Sequence, residues 1–339
     1  MDRPHTPQQP DPSDDDMSRP SAPDDLDYRH RGGRLHFTAH QRGLDATALG
    51  RIILYLPGTL MSLLVLLLTA AALDAWLGIP LWILPVVWLL SGAMVFHRPT
   101  EDFLARYLLR LHRPMPEEYA RLEPVWHEVT ARAGVDGRTY ELWVEDSDHL
   151  NAYAAAGHIV GVTKCALDRL PSSQLAAVLA HELGHHTGGH VWVSLLGYWY
   201  ALPGRAAWYA IRVVLAFALA MTTYFSWLAT AALVIAIGIV SYTTVTRLYG
   251  LPLVLLVTPY LIAAVGRRAE LRADQHAAAL GFAPMLAQVL QAMHTTEAES
   301  KCRAMAAYGP KQTERRFLAQ LLSTHPDYAT RIHRLRPYL

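Results

Sequence analysis

The chain has 339 residues, 52% of them hydrophobic and only 17% charged, which favours a membrane class over an ordinary soluble domain. A net charge of +1 argues against nucleic acid as a partner, because such binding needs a basic surplus or stripe. The two cysteines, Cys165 and Cys302, lie far apart and offer neither a metal pair nor a disulfide framework.

Residues 1–27 are rich in Pro, Asp, Ser and Gln and contain the run Asp14-Asp15-Asp16. A basic patch with Arg29, Arg31, Arg34 and Arg42 follows. Such a stretch cannot bury enough apolar surface to order itself, so residues 1–50 read as a disordered cytoplasmic tail. It is not a signal peptide, because the next apolar run starts late and is too long for one.

Residues 52–73 carry no charge and are long enough to cross about 30 Å of hydrocarbon. A second apolar run covers 79–96, after the short link Asp74-Ala75-Trp76-Leu77-Gly78. Together they predict a transmembrane hairpin over 51–97. Further on, one uncharged stretch lies between Arg212 and Arg247 and another between Arg247 and Arg267. The longer one suits a single tilted helix or two short crossings. Arginines flank both hairpins on one side, while the opposite side has only Arg247 in its short links. The positive-inside rule then puts the start and end of each hairpin in the cytoplasm.

Between the hairpins, Tyr140-Glu141-Leu142-Trp143-Val144-Glu145 alternates like a strand, and so does 151–162, turning at Gly157-His158. An exposed edge here could bind an extended peptide by strand addition, with Asn151 holding a substrate carbonyl.

The chemistry centres on Ala180-His181-Glu182-Leu183-Gly184-His185, within a segment rich in helix formers that starts after Pro171. His181 and His185 stand one helical turn apart on one face and can reach the same metal ion. Glu182, beside the first of them, can take a proton from the attacking water. A catalytic zinc takes three protein ligands, often two His and one Glu. Val191 stands where a third histidine of the metzincin pattern would be, so the third ligand must come from elsewhere. Glu270, in Glu270-Leu271-Arg272-Ala273-Asp274, is the candidate. Alone, Glu270 and Asp274 read as solvated carboxylates beside arginines. Following an HExxH across an apolar hairpin, they read as a ligand and the acceptor of a ligand histidine's other N–H.

These motifs resemble the HtpX-like membrane metallopeptidases, relatives of the CAAX prenyl endopeptidases. Asn151-Ala152-Tyr153-Ala154 is similar to the family's substrate strand, and Thr324-His325-Pro326 with Arg331 to its C-terminal His-Pro segment. The resemblance covers nearly everything after the tail. It implies one zinc ion, a gluzincin-type catalytic domain and endopeptidase activity. His181, His185 and Glu270 would be the ligands, Glu182 the base, and Asn151, Ala152, Tyr153 and Ala154 the substrate-binding strand. His325 is a candidate donor to the oxyanion, a position where developing charge needs stabilising. His190 stands where relatives often carry an acidic residue, and neither it nor His186 is given a role. The acidic tail is not expected of the family.

Because Glu270 must meet the two histidines, the chain between them has to cross an even number of times. That selects one span for 212–247 and one return for 247–267. The expected fold is a predominantly α-helical integral membrane protein with four transmembrane helices in two hairpins, 51–97 and 207–266. A mixed α+β cytoplasmic catalytic domain is divided between 98–206 and 267–339. The expected function is zinc-dependent hydrolysis of peptide bonds in unfolded or membrane proteins, as quality control in a bacterial plasma membrane. Alternatives are a signalling peptidase cutting a cytoplasmic regulator, a prenyl-protein endopeptidase, and a membrane scaffold with an inactive site.

Overall fold

The computed structural model describes residues 46–249, 251–308 and 326–339, which form a mostly helical protein with one small mixed sheet. The calls on the tail through residue 45 and on His325 lie outside the described residues.

The first helix, α1 (Ala46–Leu77), runs 32 residues despite Pro57. Leu60, Leu64 and Leu68 are among the large apolar side chains it leaves exposed, which suits hydrocarbon and not water. It packs in parallel against α7 (His190–Phe225) through small residues. Gly197 lies under the Tyr55 ring, Gly58 faces Ala201, and the Gly204 N–H donates to Ser62 Oγ at 3.0 Å. Small residues of this kind let the two backbones approach closely, and the resulting van der Waals contact holds the pair.

The second apolar run is shorter than the sequence suggests. The chain turns at Gly78 (φ 69°), and helix α2 (Ile83–Ser91) with the tighter turn Gly92–Phe96 follows. At about 1.5 Å per residue that is ~20 Å, less than a bilayer core. Pro80 lies in the turn between Gly78 and the helix, while Pro85 falls in the helix's first turn, where a missing N–H is harmless. Trp199 Nε1 donates to Ser91 Oγ (2.9 Å) and Tyr200 Oη to Leu89 O (2.7 Å), fastening α2 to α7.

The stretch 212–247 is also not the one tilted helix expected. It breaks at Ser226, whose backbone is extended (φ −164°, ψ 132°), and α8 (Trp227–Arg247) starts anew. The break follows Thr222-Thr223-Tyr224-Phe225, a run of β-branched and aromatic residues that are weak helix formers. Helix α9 (Leu251–Ala279) then continues through its apolar part into the charged segment around Glu270. Among the described residues three helices, α1, α7 and α8, are long and apolar enough to cross a membrane.

Outside these helices lie α3 (Arg98–Phe103), β1 (Leu111–His112), α4 (Pro116–Ala133), β2 (Glu141–Glu145), β3 (Ala152–Ala155), β4 (Ile159–Thr163), α5 (Lys164–Arg169), α6 (Ser172–Thr187), α10 (Ala283–Tyr308) and α11 (Tyr328–Leu335). The sheet order is β1-β2-β4-β3, with β2 and β4 parallel and the outer pairs antiparallel. All five residues of β4 are buried, as a central strand requires, and β3 is an edge. Ala156 and Gly157 make the β3–β4 turn with positive φ (47° and 79°). His158 beyond it pairs with buried Glu101 of α3 at 3.0 Å.

Helix α6 sits in the core and is apolar on nearly every side. Leu175, Leu179 and Leu183 pack among Leu122 and Val129 of α4, Val160 and Val162 of β4, and Leu286 and Leu290 of α10. It also crosses α9 at Gly184, where a Cβ would come within 3.1 Å of Ala273 Cα. The glycine lets the two backbones approach and brings Glu270 beside the histidines. Gly184→Val should therefore push α9 away, cost about 1–3 kcal/mol of stability and lower metal content. Retention of a full metal complement by a folded Gly184→Val protein would show that the crossing does not set the site.

Candidate metal centre

α6 supplies His181 and His185, and α9 supplies Glu270. His185 Nε2 lies 3.2 Å from Glu270 Oε1 and His181 Nε2 lies 3.6 Å from Glu270 Oε2. One donor atom from each of the three residues lies within 4.8 Å of the others. A tetrahedral zinc with bonds of about 2.0–2.2 Å spaces its ligands about 3.3–3.6 Å apart, so the donor set fits such an ion. Three donors leave a fourth position for water or substrate.

The pocket is charged yet buried. Asp274, 1% exposed, accepts from His181 Nδ1 at 2.9 Å. Arg331 of α11 grips the same carboxylate with two bonds, Nη2 to Oδ1 (2.6 Å) and Nε to Oδ2 (2.8 Å). Its Nη1 is 3.6 Å from Glu270 Oε2. Burial opposes ionisation of Asp274, but the bonds from Arg331 and His181 prevail and hold it at about 2. With its Nδ1–H engaged by Asp274, His181 keeps Nε2 directed at Glu270.

Burial works to lower the pKa of His181. The hydrogen bonds that the imidazole donates to Asp274 and Glu270 outweigh it and raise the imidazole to about 10. The contribution of this pair is present in full below the ordinary value of 6.5 and lost as pH rises towards 10. The Asp274 contribution runs the other way, present above 3.8 and lost as pH falls towards 2. A metal must displace the His181 proton, so affinity should climb with pH between 6.5 and 10 while the metal-free protein loses stability. Denaturant titrations of stripped and loaded protein across that window test this, and parallel profiles would contradict it.

A family model described as Peptidase family M48 matches residues 116–338, well over half the chain and the whole of this site. The chain belongs to peptidase family M48. That family contains HtpX and the CAAX prenyl endopeptidases, and its members are metallopeptidases. No curated protein matches the chain.

In this M48 peptidase Glu182 is buried (7% exposed), with Oε1 4.0 Å from His181 Nε2. Burial raises its pKa, opposed by the neighbouring histidines and by a hydrogen bond with the Ala154 backbone. That bond joins the carboxyl to the edge strand β3, which contains Ala152, Tyr153 and Ala154. Asn151, exposed just before β3, is tied by its backbone to Thr163. Its N–H donates to Thr163 Oγ1 (3.0 Å) and its carbonyl accepts from Thr163 N (3.0 Å). Tyr153 covers Gly161 with its ring, and burial together with Glu145 raises its phenol.

The two unassigned histidines of the M48 chain are both buried. His186 bonds the Ile159 carbonyl at 3.0 Å, tying α6 to β4, and burial lowers it to about 4. His190 opens α7, 3.1 Å from Thr47 Oγ1. One turn on, Arg51 Nη1 donates to Ser194 Oγ at 2.5 Å, and Glu270 acts on this guanidinium electrostatically. Sequence reasoning counted Arg51 only as a flanking charge. Its spacing of four from Thr47, matching Ser194 to His190, becomes meaningful once α1 and α7 are known to run parallel.

Proposed function

We propose that this M48 metallopeptidase is a zinc-dependent endopeptidase embedded in a membrane, with its site on the cytoplasmic side. Unfolded or misassembled membrane proteins are its substrates. The observation that carries the reading is the His181–His185–Glu270 cluster at zinc-ligand spacing with a buried glutamate beside it.

A bound zinc supplies Lewis acidity, lowering the pKa of water and polarising the scissile carbonyl. Glu182 accepts the proton of the attacking water and hands it to the leaving amine. Its raised pKa suits both steps. The free edge of β3 aligns an extended peptide beside Glu182. Asn151 orients a substrate carbonyl, and His325 donates to the developing oxyanion. Asp274 and Arg331 hold His181 and Glu270 in place without touching the substrate.

The exposed apolar faces of α1, α7 and α8 support the membrane reading. Because α6 and α9 meet, the helices between them make a round trip, and α7, α8 and the apolar part of α9 together contribute an even number of crossings. The arginines around the hairpin ends favour the cytoplasm for the catalytic side.

The test is cleavage of casein in detergent by protein stripped of metal and then given zinc back, with bound zinc quantified. Cutting that depends on zinc, at one zinc per chain, supports the proposal. A chain that binds no zinc refutes it, and a chain that holds zinc but cuts nothing points to a narrower substrate.

A further inference from the structure

The strand β3 is four residues long and pairs on one side only, with β4. A short edge strand opens readily unless its ends are tied down. Its start is tied, because the Asn151 N–H and carbonyl both bond Thr163. Its end runs into the turn Ala156-Gly157-His158, where Ala156 and Gly157 take positive φ (47° and 79°). An alanine in that conformation is strained and persists only where its surroundings impose it.

Those surroundings are a small core separate from the one around α6. Ala156 and Ile159 are buried in it with Ala105, Leu111 and Trp143. Glu101 of α3, 3% exposed, aims its carboxylate at the turn, with Oε1 only 3.6 Å from where a Gly157 Cβ would stand. His158 Nδ1 lies 3.0 Å from Oε1 and 3.2 Å from Oε2. Among the described residues no other side chain hydrogen-bonds this carboxylate. Burial raises the Glu101 carboxyl, and His158 is the largest influence opposing it. The turn therefore carries the partner that a buried acid requires. His186 already fastens β4 to α6 through the Ile159 carbonyl, and the Glu101–His158 contact fastens the turn to α3. Helix α3 starts at Arg98, just after the tight turn Gly92–Phe96 that ends the second apolar run. The end of β3 is thus moored on an element distinct from the helices that carry the metal donors.

We propose that Glu101 and His158 are positioning residues for the substrate: they hold β3 where its free edge receives the peptide, a role that rests on the peptidase reading above. Neither is a metal donor, and both act through the strand. Ala154 of β3 bonds Glu182, so the strand also sets where its peptide lies relative to the base. Loosening the turn leaves the metal donors in place and lets the strand leave its position. A peptide that binds only the positioned strand then binds more weakly in proportion to the time the strand is away.

The experiment uses the full chain in detergent, with casein as substrate. Glu101→Ala combined with His158→Ala removes both partners and leaves no buried charge alone. This pair should keep one zinc. If its strand is in place about a tenth of the time, KM rises about tenfold and kcat hardly moves. Deuterium exchange across 152–158 should quicken about tenfold in the same variant, with exchange in α6 unchanged. His158→Asn puts an amide N–H where Nδ1 stood, on a residue that tolerates turns, and should recover the wild-type KM and exchange. Unchanged KM and exchange in the alanine pair overturn the proposal. Unfolding, loss of zinc, or a fall in kcat at constant KM would make the contact merely structural and overturn it as well. Failure of His158→Asn to recover KM would remove the hydrogen bond as the cause and do the same. The exchange measurement needs no cleavage. A wild type that cuts no casein therefore counts against the peptidase reading, while faster exchange in the alanine pair would still establish that the contact holds β3.

Discussion

Glu182→Gln should lower kcat by about 10²–10⁴-fold, the range typical for loss of a general base, and leave one zinc bound. The side chain is not among the three donors that converge on the metal position, so metal content should not change. Glutamine has the same shape, and its amide oxygen can keep the bond to the Ala154 backbone. What it cannot do is accept a proton. Because burial raises the Glu182 pKa, the acid limb of the wild-type pH profile should lie above the ordinary carboxylate range. That limb should vanish from any residual activity of the variant. A variant that cuts at the wild-type rate would remove Glu182 from the mechanism, and one that loses zinc would make it a structural residue.

Arg331→Met should cost about 3–5 kcal/mol, the usual result of stripping one partner from a buried ion pair. The guanidinium is 9% exposed and its main partner Asp274 only 1%. Without it, Asp274 and Glu270 face each other across His181 with one cation fewer. Metal affinity should fall about 10–100-fold, as when an outer partner of a ligand is lost. Excess zinc should then recover much of the stability, because the ion itself replaces the missing positive charge. Equilibrium unfolding with and without zinc reads both effects. Equal destabilisation in the two conditions would mean that Arg331 acts on packing alone.

How much of this was legible beforehand depended on whether a residue's chemistry announces itself. His181, Glu182 and His185 did so at helical spacing, and Glu270 and Asp274 followed from the need for a third donor and a histidine partner. The strand pair around Gly157 was readable because a period of two and a turn residue coincide. Helix continuity was harder. Ser226 carries no charge, so a reading based on charge-free length passes over the break that weak helix formers allow. The turn from Gly78 to Trp82 takes up the start of the second apolar run, which hydropathy cannot register. The role of Gly184 depends on Ala273, distant in sequence, and only the crossing reveals it. Arg51 was visible as a charge but not as a neighbour of Glu270, because that proximity arises from the packing of α1 on α7 and α9.

The metal donors stand on either side of α7 and α8, two of them before these apolar helices and one after. A polypeptide in which those helices have not made their round trip carries two histidines and no third donor. It is half a site and cannot hold its ion firmly. On the membrane placement proposed above, proteolytic competence is conditional on successful insertion, so a failed copy of the enzyme is inert and does not become a stray protease among newly made proteins.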